Sequence, residues 1–314
     1  MINVLVTSTN TVSALNVLRS LLARKDVELF STDLRNMSSG LVYTKNHFKV
    51  SHAMDKNYIQ QMLSISIENN IRYIFPVSDA ECKKLAKNKH LFDKVGTKIL
   101  SSNYNIVELC CDKLKTYDFL KMIGIKTPLT WAYTPKNTEN FPIVLRTRYA
   151  GTKRKALEYL LDEVDYNYHG MKIKSEKVLS GVVEGREFTI DVLSDMSGKV
   201  IKVSPRERTY VLNGNTKIGT IVHSEKMVKE VSKIAEGLGL VGITCIQCIS
   251  NNTGNHYFEI NPRVGSGLDL TIKSGLDFPS MLIDINEGKD ISHLLSKKPK
   301  DKLTMIRYQD CIII

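Results

Sequence analysis

The chain has 314 residues, enough for two or three domains with buried cores. Hydrophobic residues make up 42% and charged residues 25%, the balance of a globular protein, which excludes an intrinsically disordered chain. Lysine and arginine (44) exceed aspartate and glutamate (33), a net charge of +11, so anionic partners are favoured; a solubilising surface charge explains the same excess.

The opening Met-Ile-Asn-Val-Leu-Val-Thr has no basic segment and no long apolar core, so no signal peptide is expected. No apolar window approaches the roughly 18 residues of a membrane span. A cytoplasmic protein without a membrane partner is the expectation. Residues 2–7 (INVLVT) form a short apolar run that predicts a buried strand, followed by the polar turn Ser8-Thr9-Asn10-Thr11. Val12, Leu15, Leu18, Leu21 and Leu22 then recur with helical spacing. Residues 27–32 predict a second strand ending at Asp33, residues 58–67 an amphipathic helix, residues 73–77 a third strand, and residues 80–86 the start of another helix. Strands alternating with helices imply a parallel sheet covered on both faces. This first, Rossmann-like domain is placed at residues 1–100. A dinucleotide fingerprint needs glycines after the first strand, and residues 7–14 contain none, so a substrate domain is expected rather than an NAD domain.

A second unit, residues 101–178, opens with a helix over 112–123, started by Asp112 or Cys111, closed by Gly124 and barred from continuing by Pro128. Residues 142–147 predict a strand, followed by a basic loop. The third unit, residues 179–314, begins in a stretch (177–203) whose alternation predicts antiparallel strands joined by tight turns. A helix over 227–238, capped by Ser224 and ended by Gly239, precedes strands at 241–249 and 256–260 around the turn Asn251-Asn252-Thr253-Gly254. The six cysteines (Cys82, Cys110, Cys111, Cys245, Cys248, Cys311) do not suggest a disulfide framework. Cys245 and Cys248 form a CxxC inside an apolar strand, where positions three apart face opposite sides, so buried structural thiols are expected rather than zinc ligands.

The chemistry concentrates in Glu259-Ile260-Asn261-Pro262-Arg263. Glu259 and Asn261 lie one residue apart on a strand and so share a face, with Gln247 on the partner strand. Three oxygen donors on one face suit a hard ion such as Mg²⁺. Arg263, in a proline-fixed turn, can fork onto a phosphate or carboxylate, and Gly265-Ser266-Gly267 offers backbone N–H groups to an anion. An ordinary hairpin with a surface Glu-Asn pair explains the motif equally well.

Several further segments resemble the ATP-grasp superfamily, and within it the carbamoyl-phosphate-synthase-like ligases. E-I-N-P-R-V-G-S-G-L resembles the family's metal and triphosphate segment. Cys111-Asp112-Lys113 with Thr116, Leu120, Gly124-Ile125 and Pro128 resembles its D-K-x-x-T helix. Gly185-Arg186-Glu187-Phe188-Thr189 with Asp191, Val203-Ser204-Pro205-Arg206-Glu207-Arg208, Phe75-Pro76 with Asp79 and Glu81, and the closing Ile306-Arg307-Tyr308 each resemble a family segment, in order along nearly the whole chain.

The resemblance implies an N-terminal Rossmann-like α/β domain followed by the two α+β lobes of an ATP-grasp fold. It implies ATP and Mg²⁺ (or Mn²⁺) as cofactors. Lys113 and Arg146 resemble the residues that grip the phosphates, with Arg146 standing where lysine is commoner. Glu187 resembles the ribose ligand. Leu179, Ser180 and Val182 fall on the hinge that binds adenine through its backbone. Gln247, Glu259 and Asn261 resemble the metal ligands, Gln247 replacing a carboxylate. Arg263, Arg206 and Asn261 are the expected catalytic residues, Arg206 toward an acyl phosphate or substrate carboxylate. Thr152 sits in the phosphate-covering loop, which is unusually basic here (Arg148, Lys153, Arg154, Lys155); a charged lid and a solvated loop both fit. For His223 a helix-proximal polar role is expected over that of a base.

The implied reaction is carboxylate–amine ligation. ATP converts a carboxylate to an acyl phosphate and an amine displaces phosphate. An amino acid, a peptide carboxylate or a sugar acid would be the acceptor, contacted by the turn at residues 7–11. A homodimer is compatible with this class. A bicarbonate-using carboxylase and a non-catalytic ATP-binding module are the alternatives. Nucleic acid is not expected as a partner, because no nucleic-acid motif accompanies the charge.

Overall fold

A computed structural model describes residues 1–133, 142–150, 158–161, 177–212, 214–308, 311 and 313. Thr152 and the rest of the loop at 151–157 lie outside these residues.

The first unit is a five-stranded parallel sheet: β1 (Ile2–Val6), β2 (Val27–Asp33), β3 (His47–Lys49), β4 (Tyr73–Phe75) and β5 (Lys98–Ile99), in the order β3-β2-β1-β4-β5. Side chains on a strand point alternately to the two faces, and both faces of β1 are apolar. Val4 and Val6 pack with α1 (Val12–Leu22). Leu5 packs on the other side with Tyr58, Met62 and Ile65 of α2 (Tyr58–Glu68). Two helices, α3 (Asp79–Lys87) and α4 (Lys89–Asp93), follow β4. The strand order reverses between β1 and β4, and at such a switch point the chain opens a crevice beyond the carboxyl ends of the strands. Ser8, directly after β1, has a left-handed backbone there (φ 50°).

Two helices, α5 (Tyr104–Cys111) and α6 (Lys113–Met122), meet at Asp112, whose extended backbone breaks the helix and whose carboxylate caps α6 by accepting from Leu114 N at 3.0 Å. They lead to a four-stranded antiparallel sheet of β6 (Thr130–Ala132), β7 (Ile143–Thr147), β8 (Glu158–Leu161) and β9 (Lys177–Gly181), in the order β6-β9-β7-β8. The pattern at 177–203 predicted one antiparallel run. Instead β9 pairs with β6 and β7, and residues 182–185 cross to a different sheet. Local alternation could not reveal this, because it is identical for strands in either sheet.

The largest sheet has six antiparallel strands in the order β14-β13-β10-β11-β12-β15. They are β10 (Arg186–Ser194), β11 (Val200–Leu212), β12 (Asn215–Ile221), β13 (Gly242–Asn251), β14 (Gly254–Asn261) and β15 (Thr304–Ile306). Helix α7 (Glu225–Leu238) is capped by Ser224, which accepts from Met227 N, and closed by the left-handed Gly239. Its buried stripe of Met227, Val231, Ile234 and Ala235 packs against Phe188, Ile190 and Val192 of β10. Three short helices, α8 (Leu268–Lys273), α9 (Phe278–Asn286) and α10 (Ser292–Leu295), follow β14. One core joins Val4, Val6 and Leu18 of the first unit to Leu193, Ile243 and Leu282 of the third. That shared core fixes the parallel sheet beside the six-stranded one and leaves a cleft between them.

Candidate active site

A cleft of about 790 Å³ runs between the three sheets, within the size range of small-molecule sites. Its floor is the face of the six-stranded sheet carrying Glu187, Gln247, Glu259 and Asn261. The register sets Gln247 opposite Glu259 and Cys245 opposite Asn261, so the predicted oxygen donors do share a face. Between Cys248↔Tyr257 and Gln247↔Glu259 the register skips one residue. Phe258 is that extra residue, a β-bulge, and it lines the cleft together with its neighbour Glu259. Strict alternation would have turned it away. It meets Arg146 from β7, whose guanidinium lies 5.6 Å from the ring centroid and donates to Ser180 Oγ at 2.8 Å.

Each of the other three cleft arginines is held by a carboxylate. Arg206 forms a bidentate pair with Asp191 (2.7 and 2.9 Å), the two side chains being 2% and 0% exposed. Burial pulls this guanidinium's pKa down, but Asp191 outweighs it and the net shift is upward. Its far edge, Nη1, faces Gly267, where a Cβ would come within 2.6 Å of the Arg206 Cζ. The two glycines at 265 and 267 are therefore needed for the loop to close over the arginine. Arg208 pairs with Glu187 and donates to Gly214 O at 2.8 Å. Arg263 donates to Asp79 through Nε (2.7 Å) and Nη2 (3.2 Å), to Asn261 Oδ1 (3.2 Å) and to Val264 O (3.2 Å). A guanidinium has five N–H bonds, so one on Nη1 remains for a ligand. Burial lowers the Arg263 pKa, Asp79 more than restores it, and the group stays protonated.

Comparison with known proteins now bears on these residues. The family model described as ATP-grasp in the biosynthetic pathway with Ter operon matches residues 175–310, and the PylC-like N-terminal domain model matches residues 4–100. The chain is 23% identical over 222 residues to the carbamoyl phosphate synthase large chain of Clostridium acetobutylicum, covering 64% of this chain and 21% of that one. The D-alanine–D-alanine ligase of Fusobacterium nucleatum is 23% identical over 218 residues, covering 66% of this chain and 75% of that one. The solved L-amino acid ligase from Bacillus licheniformis superposes with a TM-score of 0.72 at 16% identity, over 95% of this chain and 78% of that one. The part of the chain that builds the cleft floor, residues 175–310, belongs to the ATP-grasp superfamily. The chain spans about a fifth of the length of the carbamoyl phosphate synthase large chains it matches.

Against the ATP-grasp pattern, the structure brings Arg146, Ser180, Val182, Glu187, Gln247, Glu259, Asn261, Arg206 and Arg263 to one cleft. It does not bring Lys113 there. That residue opens α6, half-buried, with its amide on Arg148 O (3.1 Å), and is absent from the described cleft lining. Leu179 is fully buried in the core of the small sheet, so only its backbone is in position to serve. Gln247 lies beside Glu259 on the floor. In the amide orientation that satisfies both ends, its nitrogen donates to Glu259 Oε2 (3.1 Å) and its oxygen accepts from Arg208. Asn261 Oδ1 is likewise met by an arginine, Arg263 Nη2 (3.2 Å). Glu259 and Asn261 remain an oxygen pair compatible with Mg²⁺, which takes few protein ligands.

Of the four basic residues of the predicted lid, Arg148 is described and Lys153, Arg154 and Lys155 lie outside the described residues. Arg148 is committed to Asp112 through a bidentate pair (2.8 to 3.1 Å) that ties the start of the loop to α6. Burial raises the Asp112 pKa, but the Arg148 hydrogen bonds bring it below the ordinary value. His223 lies outside the cleft lining, near Asp301. Cys245 and Cys248 are buried thiols, each pushed up to about 12 by burial. Sequence reasoning missed Phe258 and the Asp79–Arg263 pair. Only the bulge and the tertiary contact reveal them.

Proposed function

We propose that the chain is an ATP-dependent ligase that activates a carboxylate as an acyl phosphate and passes it to an amine. The observation carrying this reading is the convergence of Arg146, the spare Arg263 N–H and the Glu259–Asn261 oxygen pair in one cleft. Such a set can hold a carboxylate and a transferring phosphoryl group in line while neutralising their charge, which is most of what phosphoryl transfer asks of a protein. Arg146 grips the phosphates and Phe258 fixes its plane. Glu187, on β10 beside the β9–β10 crossing, takes the ribose hydroxyls, and the backbone of residues 179–182 takes the adenine. Arg206 and Arg263 orient the reacting oxygens. Glu259 and Asn261 hold Mg²⁺, which when bound neutralises phosphate charge. The parallel sheet within residues 1–100, the small sheet that ends with β9 at Gly181 and the six-stranded sheet from Arg186 onward are the working parts of this enzyme. Among the described residues no helix is long and apolar enough to cross a membrane, which fits work in the cytoplasm on small molecules.

The test is phosphate release from ATP-Mg²⁺ across a panel of carboxylates with and without amines, in wild type and in Glu259→Gln. Carboxylate-dependent release is expected, and Glu259→Gln is expected to need more Mg²⁺. Full activity of Glu259→Gln at low Mg²⁺ would sink the metal assignment. Release that no carboxylate stimulates would sink the ligase reading.

A further inference from the structure

The nucleotide reading leaves one wall of the cleft unused, at the carboxyl ends of β1 and β4. There Glu81 lines the cleft at 6% exposure. Its Oε2 accepts from Thr7 Oγ1 (2.7 Å), Ser8 Oγ (2.6 Å) and Ser78 Oγ (2.8 Å), and its Oε1 accepts from Tyr58 OH (3.3 Å). Among the described residues no lysine, arginine or histidine forms an ion pair with it. The neighbouring acid, Asp79, is already engaged by Arg263.

An ionised carboxylate can only accept. Ser8 and Ser78 therefore spend their single proton on Glu81 and turn only lone pairs elsewhere, while Thr7 Oγ1 has Glu81 Oε2 as its nearer acceptor (2.7 Å) and Phe75 O as its farther one (3.4 Å). Thr7 uses one to accept from Val77 N (3.2 Å), and Ser78 uses one to accept from Glu81 N (3.3 Å). Ser8, part-exposed in the cleft, is left with an oxygen that can only accept. The wall is thus an acceptor-only patch backed by a buried negative charge without a cation. A buried charge in that state is costly unless something pairs with it. Helix capping explains the Ser78–Glu81 contact, Ser78 being the N-cap of α3. It does not explain three more hydroxyls, two from the turn after β1 and one from α2.

We propose that this patch is an ammonium subsite: it takes the free primary amine of an amino-acid substrate. The assignment of an amino acid as substrate rests on the ligase reading above. The ammonium offers three donors and a positive charge where the wall offers acceptors and a negative one. An acid side chain is disfavoured at the same place, which argues against an acidic acceptor whose charge would face this wall. Val50, Ala53 and Val77 flank the patch and suit the carbon skeleton beside the amine.

The experiment is calorimetric titration of the full chain with single free L- and D-amino acids and with their N-acetyl forms, each with and without MgADP. At least one free amino acid is expected to bind, and its N-acetyl form to bind at least about tenfold more weakly, as befits loss of a charged hydrogen bond. Glu81→Gln and Ser8→Gly are expected to weaken that amino acid by about ten- to hundredfold while leaving MgADP affinity unchanged. Glycine suits the left-handed backbone at position 8, so Ser8→Gly keeps the test open if Glu81→Gln disturbs α3. Should neither variant fold, the comparison of free with N-acetyl ligands on the wild type decides alone. Equal binding of the two forms, no binding by any free amino acid, or folded variants with unchanged affinity overturns the proposal. Amino-acid binding with no MgADP binding would instead remove the ligase reading and leave the subsite standing.

Discussion

The Asp191–Arg206 pair gives the sharpest energetic prediction. Both side chains are almost wholly removed from water, and Thr271 Oγ1 also donates to Asp191 Oδ2 at 2.7 Å. Asp191→Ala strips the counter-ion from a guanidinium that is 2% exposed and packed against the loop at Gly265 and Gly267. Removing one partner of a buried pair costs about 3–5 kcal/mol. Arg206→Met leaves Asp191 with Thr271 alone and should cost a similar amount. The double variant removes both charges, so it should be less destabilised than the sum of the single ones, with a coupling of about 2–3 kcal/mol. The single tryptophan, Trp131, lies in the small sheet and does not report on β10. The assay is therefore urea unfolding followed by amide exchange of β10 and β11 peptides. An Asp191→Ala protein within about 1 kcal/mol of wild type, or strictly additive single variants, refutes the argument that the pair is a buried strut.

Three other outcomes are expected. Gly267→Ala has an unstrained backbone at φ −94° but drives a Cβ into Arg206, so it should cost about 1–3 kcal/mol of stability by urea midpoint, where Ser266→Ala should cost little. Phe258→Leu keeps an apolar group but loses the ring face under Arg146; MgADP affinity should fall about threefold to tenfold by calorimetry, and an unchanged affinity rejects the stacking role. Asp26, held below its ordinary 3.8 by Arg24 and then Lys289, stabilises the fold fully above pH 3.8 and loses that contribution as pH falls through its lowered folded value. Asp26→Asn should therefore show a shallower loss of stability below pH 3.8 by circular dichroism, and an unchanged acid slope speaks against the pairing.

Much of the fold was legible from local chemistry. The apolar alternation of residues 2–7, the Ser224 cap, the Gly239 stop and the turn at 251–254 each act within a few residues, so each could be read from the chain. The shared face of Glu259 and Asn261 follows from the period of a strand and nothing else. What alternation cannot show is a skipped residue. The bulge at Phe258 reverses the expected facing of one side chain and supplies the platform for Arg146. Nor could it show which sheet β9 joins, since partner choice depends on strands far away in sequence.

The pairing of the arginines was the least legible feature, and it changes what the net charge means. Arg263 and Asp79 are 184 residues apart, yet their contact joins the start of α3 to the end of the β13–β14 hairpin. Among the described residues around the cleft, Arg146, Arg206, Arg208 and Arg263 stand against Asp79, Glu81, Glu187, Asp191 and Glu259. Among these described residues four positive groups face five negative ones, so they contribute no positive surplus of their own. On the ligase reading, these residues would meet a polyphosphate less through a general positive field than through direction. Asp79 holds Arg263 with one N–H of Nη1 unspent, and such a pre-aimed donor loses little freedom when it meets an oxyanion. On the ligase reading, the remaining charge of the phosphates falls to Mg²⁺ at Glu259 and Asn261. A single carboxylate in that pair is enough only because the phosphates themselves supply the other oxygens.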